Sequence, residues 1–100
     1  MRAHRVIKAT SRKVSAPMSS PDDISAAAVT IALHDDTGAA DSWLAATWST
    51  TPVLGSDGLY TGVAQTSANV DFSTKDPGSY IVRAKAGTTV VNCYIIKVVP

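Results

Sequence analysis

Two histidines, one cysteine and a loop of aspartates are the residues of this 100-residue chain suited to acid–base, thiol or metal chemistry. His4 lies among the cations of the first residues and His34 at the end of an alternating segment. Neither has a base, nucleophile or ligand at catalytic spacing, so both are expected to be solvated. Asp35, Asp36 and Asp41 share one loop, but the alternating carboxylates and central glycine of a calcium-binding loop are missing. Turn and capping roles are expected for them. Cys93 has no disulfide partner and falls in a strand-like run, where a buried small hydrophobe is expected. Glycine-rich phosphate loops, nucleophile elbows and Cys/His zinc spacings are absent. The chain is therefore read as non-enzymatic, with no cofactor and no metal.

The elements that must position any site are strands. The sequence has eleven Val, eleven Thr and eleven Ser, and its eight acidic residues are all Asp. The absence of Glu, a good helix former, argues against a helical domain. At 45% hydrophobic residues, one core can be buried at this length. Residues 5–14 read as a first strand or an extended arm, and 15–23, "SAPMSSPDD", as a linker. Val29, Ile31 and Leu33 alternate with Thr30, Ala32 and His34. Leu44, Ala46 and Trp48 share a face until Pro52, and "LYTGVAQ" reads as an edge strand interrupted by Gly62. "ANVDFST" alternates, with Ala68, Val70 and Phe72 together; then Tyr80, Val82, Ala84 and Ala86 face inward and Ile81, Arg83 and Lys85 outward. "VVNCYIIKVV" is apolar on both faces, as if its outer set (Val91, Cys93 and Ile95, or the alternate residues) packed on the arm or a neighbouring copy. About seven short strands with no crossover helix predict an all-β, antiparallel domain. The domain is expected over 25–100, preceded over 1–24 by the basic arm or first strand and the linker.

The corner at Asp76-Pro-Gly78-Ser-Tyr80, followed by inward Val82, resembles the D-x-G-x-Y corner of immunoglobulin-like domains. The resemblance implies a small antiparallel sandwich in which Asp76 and Gly78 shape a turn and the Tyr80 hydroxyl bonds back to backbone. It further implies a core on Ile31, Trp48, Phe72 and Val82, with Trp48 in the place of the strand C tryptophan. Ile31 and Val82 would stand where antibody domains place their two cysteines. Among such domains, the chain most resembles those of tailed-phage virion proteins.

Charge supplies the functional expectation. Arg2, Arg5, Lys8, Arg12 and Lys13 crowd the first thirteen residues, whereas the rest carries four basic and eight acidic side chains. With Val6, Ile7 and Val14 as apolar anchors, the arm is expected to dock on an acidic protein surface. No aromatic residue is interleaved there for base stacking, so protein contact is favoured over nucleic acid. The leading expectation is a capsid decoration protein that binds the major capsid protein or another virion protein and stabilises the shell, with a homo-oligomer such as a trimer compatible with that role. The alternatives are an adhesion module that touches host surface or glycan through loop tips 35–42 and 53–60, with Trp43 and Tyr60, and a nucleic-acid-associated protein. No segment approaches the ~20 apolar residues of a membrane span, and the first residues lack an apolar stretch of signal-peptide length. Assembly into a virion in a host cytoplasm is the expected location.

Overall fold

A computed structural model describes residues 3–35 and 43–100, and the side chains of Ala3, His4 and Asp35 lie outside that description. The chain is all-β, a curled mixed sheet of seven strands with one short 3-10 turn. In chain order the strands are β1 (Ala3–Ile7), β2 (Ser11–Arg12), β3 (Ser15–Ser20), β4 (Val29–Asp35), β5 (Leu44–Leu54), β6 (Tyr60–Thr66), β7 (Val70–Asp71), β8 (Gly78–Ala86) and β9 (Thr89–Val99). The large sheet runs β1-β9-β8-β4-β5-β6-β3, and β2 pairs with β7 in a small separate ladder. Every neighbouring pair is antiparallel except the first with the last, because β1 runs parallel to β9 with Val6 opposite Val98.

The sheet divides into two halves. β4 and β5 share only two register pairs, Thr30 with Ala45 and Ile31 with Leu44, before β5 turns to pair with β6. Two register shifts, between Trp48 and Thr50 and between Thr50 and Val53, bend β5 through that change. Gly62 makes the bend possible: a Cβ there would lie 2.6 Å from the Thr50 carbonyl oxygen and 2.7 Å from Pro52. The glycine therefore marks a close approach in an interior strand, not the edge expected of "LYTGVAQ". Pro52, expected to end β5, is buried inside it. The two halves close on each other where the Tyr94 hydroxyl of β9 donates to the Ser15 carbonyl of β3 at 2.5 Å.

The expected linker is a strand. Ala16, Met18 and Ser20 of β3 point into the core while Pro17 and Ser19 point out. Only β6 pairs with β3, so Pro17, which has no N–H to give, sits on an edge strand that tolerates it. The expected boundary at residue 24 accordingly falls inside a continuous core that includes Val6, Val14, Met18 and Ile24. Ile31, Phe72 and Val82 are fully buried within it, and Trp48 packs half-buried against it with its indole N–H directed at the Ala27 carbonyl. Ile31 and Val82 do not face one another across the core. They lie on adjacent, hydrogen-bonded strands, with Leu33 opposite Val82.

The strand expected of "ANVDFST" shrinks to two residues. Val70 is buried, Ala68 is exposed, and Phe72 opens a 3-10 turn whose cap is Asp71. The Asp71 carboxylate accepts from the Ser73 hydroxyl and backbone N–H, which holds it below the usual carboxylate range. A depressed folded-state value means that this cap is stabilising at neutral pH and is lost as the pH falls through it.

At the corner that follows, Gly78 adopts φ 148°, outside the comfort of residues with a Cβ, and the Tyr80 hydroxyl donates to the Asp76 carbonyl at 2.7 Å. Tyr80→Phe removes one solvent-accessible hydrogen bond, so a loss of about 0.5–1.5 kcal/mol is expected in denaturant titration. An unchanged midpoint would mean that the bond does not hold the corner.

Candidate partner-binding surface

The basic residues at the start of the chain do not form a free arm. Val6 and Val14, expected as anchors for a partner, are 3% and 2% exposed in the chain's own core. The Lys8 ammonium donates to the carbonyls of Ser73, at 2.9 Å, and Lys75, at 2.5 Å, tying the first strand to the corner. It is a brace, not a docking cation. Alternation explains Val6, since a strand that joins a sheet must turn every second side chain inward. Arg5, Arg12 and Lys13 remain exposed, as does Ile7 at 62%. Arg2 lies outside the described residues.

The exposed members of that set join a larger surface. On the outer side of β1-β9-β8-β4, Arg5 stands directly opposite Lys97. Ile81 stands opposite Ile95, and Lys85 opposite Val90, which is 50% exposed. Arg83 pairs with Ala32 on one side and Asn92 on the other. Like charges set directly opposite one another are unfavourable in an isolated sheet. The aspartates whose side chains are described, Asp22, Asp23, Asp57, Asp71 and Asp76, sit in turns, in the short β7 or at the corner, away from the strands that carry these cations.

The last strand reaches the face with a changed phase. A register shift opposite Val82 and Arg83 turns Val91 and Cys93 toward the core, leaving Val90, Asn92 and Ile95 outside. Of the two outer sets left open, Val91, Cys93 and Ile95 or the alternate residues, the strand follows neither throughout, because a bulge breaks strict alternation. Burial pushes the Cys93 thiol up to about 11, so it stays protonated near neutral pH.

Trp43 completes the surface. Read from the sequence as a loop-tip contact or equally a core or interface residue, it places its ring 6.2 Å from the His34 ring in an edge-on arrangement, with the Lys85 ammonium 5.7 Å from its centroid. Continuing the β4–β5 register by one residue places Trp43 beside Ala32, across from Arg83. These long side chains leave outward-facing Ala32 with no exposed surface. Two polar atoms in the cluster are buried without a hydrogen-bond partner, His34 Nε2 and Arg83 Nε. His34 is therefore not the solvated side chain expected. An unsatisfied buried polar group costs about 1–3 kcal/mol, and of these two the Arg83 Nε–H is the one that calls for an acceptor.

The remaining expected sites contribute less. Loop 36–42, with Asp36 and Asp41, lies outside the described residues. The 53–60 loop is a tight turn in which the Gly55 N–H donates to the Leu59 carbonyl and the Leu59 N–H to Asp57, beside exposed Val53 and Leu54. A cleft of about 410 Å³ opens between the start of β5 and the β6–β7 connection, lined in part by Thr66, Asn69, Asp71 and Lys75. Its Thr66 hydroxyl accepts from the Val14 N–H and its Asp71 carboxylate is committed to Ser73, so both serve the fold. Among the described residues, no three His, Cys, Asp or Glu side chains converge as a metal site, and no helix is long and apolar enough to cross a membrane. Family models, curated proteins and solved structures were all compared with the chain, and none matches it.

Proposed function

We propose that this chain is a non-enzymatic structural module of a virion, an immunoglobulin-like capsid decoration protein that docks on the assembled shell through the outer face of β1-β9-β8-β4. The observation that carries the docking role is that face itself, where Arg5, Lys97, Arg83 and Lys85 surround half-buried Ile81 and Ile95 and exposed Val90, with no carboxylate among the described side chains of its strands. The virion setting comes from the sequence resemblance.

The sandwich reading is supported by strand order. β4-β8-β9 follows the C-F-G order of one immunoglobulin sheet and β5-β6-β3 the D-E-B order of the other. The Tyr80 corner then falls at the start of the F strand, as the resemblance requires, with its hydroxyl on backbone four residues upstream. In this assignment β3 takes the place of strand B, so Ala16 and Met18, not Ile31, hold the positions that face Val82.

Decoration acts through number. Each small docking face contributes modest affinity, and a shell presents many identical sites to a protein or its oligomer. Its binding partner is the major capsid protein or another virion protein. Mass spectrometry of purified particles should detect the chain in many copies, and added protein should co-sediment with stripped shells. Charge reversal at Arg5 and Lys97 should abolish that co-sedimentation without altering the melting curve. Particles devoid of the chain would sink the virion reading.

A further inference from the structure

We infer that the outer face of β1-β9-β8-β4 takes an extended, acidic segment of a partner protein, with carboxylates at both ends of the contact and an apolar residue between them. The inference rests on the docking role proposed for this face and adds the chemistry of the occupant.

The face has three bands. At one end stand Arg83 and Lys85, at the other Lys97 beside Arg5, and between them lies the directly paired Ile81 and Ile95. In the β8–β9 register Lys97 is opposite Ser79, four residues along the strand from Arg83. At about 3.3 Å per residue, the cationic bands are about 13 Å apart. An extended chain carrying Glu or Asp at positions i and i+4 and an aliphatic side chain at i+2 has the same spacing, with all three side chains on one side.

The Arg83 end is the anchor. Arg83 Nε and His34 Nε2 are both buried and unpartnered, and Trp43 offers a rigid ring alongside them, 38% exposed. A carboxylate brings two acceptor oxygens, and the Arg83 guanidinium can donate to both at once. Arg and Trp are also the side chains that most often dominate binding energy at interfaces.

Charge complementarity fixes the sign of the partner, and the aliphatic band fixes its class. A nucleic-acid backbone would set phosphates over Ile81 and Ile95 and leave both without an apolar contact. Trp43 and His34 are the aromatic rings on the face among the described residues, and both lie in one cluster at its Arg83 end, which provides no row of rings for stacking along a strand of bases.

The test uses the full chain and a fluorescein-labelled peptide containing Glu-Thr-Leu-Thr-Glu, read by anisotropy. A Lys-Thr-Leu-Thr-Lys peptide and a labelled oligothymidylate serve as comparators. The acidic peptide should bind, the basic one should not, and raising salt from 50 to 500 mM should weaken binding. Arg83→Met keeps the aliphatic stem over Ala32 and should weaken binding roughly tenfold. Lys97→Glu, at an exposed position, should do the same with an unchanged melt. Preferential binding of oligothymidylate would overturn the inference in favour of a nucleic-acid partner. If the chain co-sediments with shells but the acidic peptide fails to bind, the inference falls and the docking role stands. If the peptide binds with these variant effects but shells do not, the inference stands and the decoration reading falls.

Discussion

Removing residues 1–14 should unfold this domain, not free it of a tail. The deleted stretch contains β1, which forms the parallel ladder with β9, and β2, which pairs with β7. It also contains Val6 and Val14, almost wholly buried, and the Lys8 ammonium that binds two carbonyls beside the corner. Burial of the two valines alone is worth about 3–6 kcal/mol at the usual value per side chain. A domain of this size has about 5–15 kcal/mol in total. Circular dichroism of the full chain against residues 15–100 should show the cooperative thermal transition lost or moved far down. An unchanged melt would show that the first strand is dispensable. Truncation cannot therefore serve as a binding test, and charge reversal at exposed Arg5 is the cleaner experiment.

Phe72→Ala should be the most damaging single substitution among those considered. Phe72 is the first of the largest fully buried side chains and opens the 3-10 turn that plugs the end of the core. Its N–H donates to the Thr10 carbonyl, and the next residue, Ser73, is held by Asp71 on one side and Lys8 on the other. Its surroundings are fixed in this way and can collapse little into the space left behind. The expected loss is about 3–5 kcal/mol. At about 4–8 °C per kcal/mol for a domain of this length, that is a fall in melting temperature on the order of 15–30 °C. A loss below about 1 kcal/mol would mean that the turn repacks freely and is no keystone.

The parts legible in the sequence are those governed by local pattern. Alternation located β4 and β8 and assigned Ile31 and Val82 to the interior and Arg83 and Lys85 to the exterior. The D-P-G-S-Y run located the corner because its chemistry is contained within five residues. β3 was hidden because Pro17 and its serines are turn residues by type, and only the pairing with β6 makes them an edge strand. The phase of β9 was hidden because a bulge has no reliable residue signature, so alternation left two outward sets open and the strand follows neither throughout.

The partner-binding surface was half legible for a related reason. The cations were visible as a cluster in sequence, but Lys8 is consumed by the fold. The cations of the proposed docking face come from opposite ends of the chain, as with Arg5 opposite Lys97. Register, which is set by strand pairing, brings them together. Trp43 was noticed for its type, yet its place against His34 and Lys85 depends on how β5 leaves β4.

The parallel pairing of the first and last strands has a mechanical meaning. Ala3 lies beside Ile95 and Ile7 beside Val99, so the leading end of β1 and the trailing end of β9 are at opposite ends of one ladder. Tension drawn between Ala3 and Val99 runs along that ladder and loads its hydrogen bonds together, in shear. A hairpin pulled apart at its open end gives up its bonds one at a time. A protein strung between moving parts of an assembly would thus carry force through its strongest direction, with the Lys8 brace just beyond the end of the loaded strand.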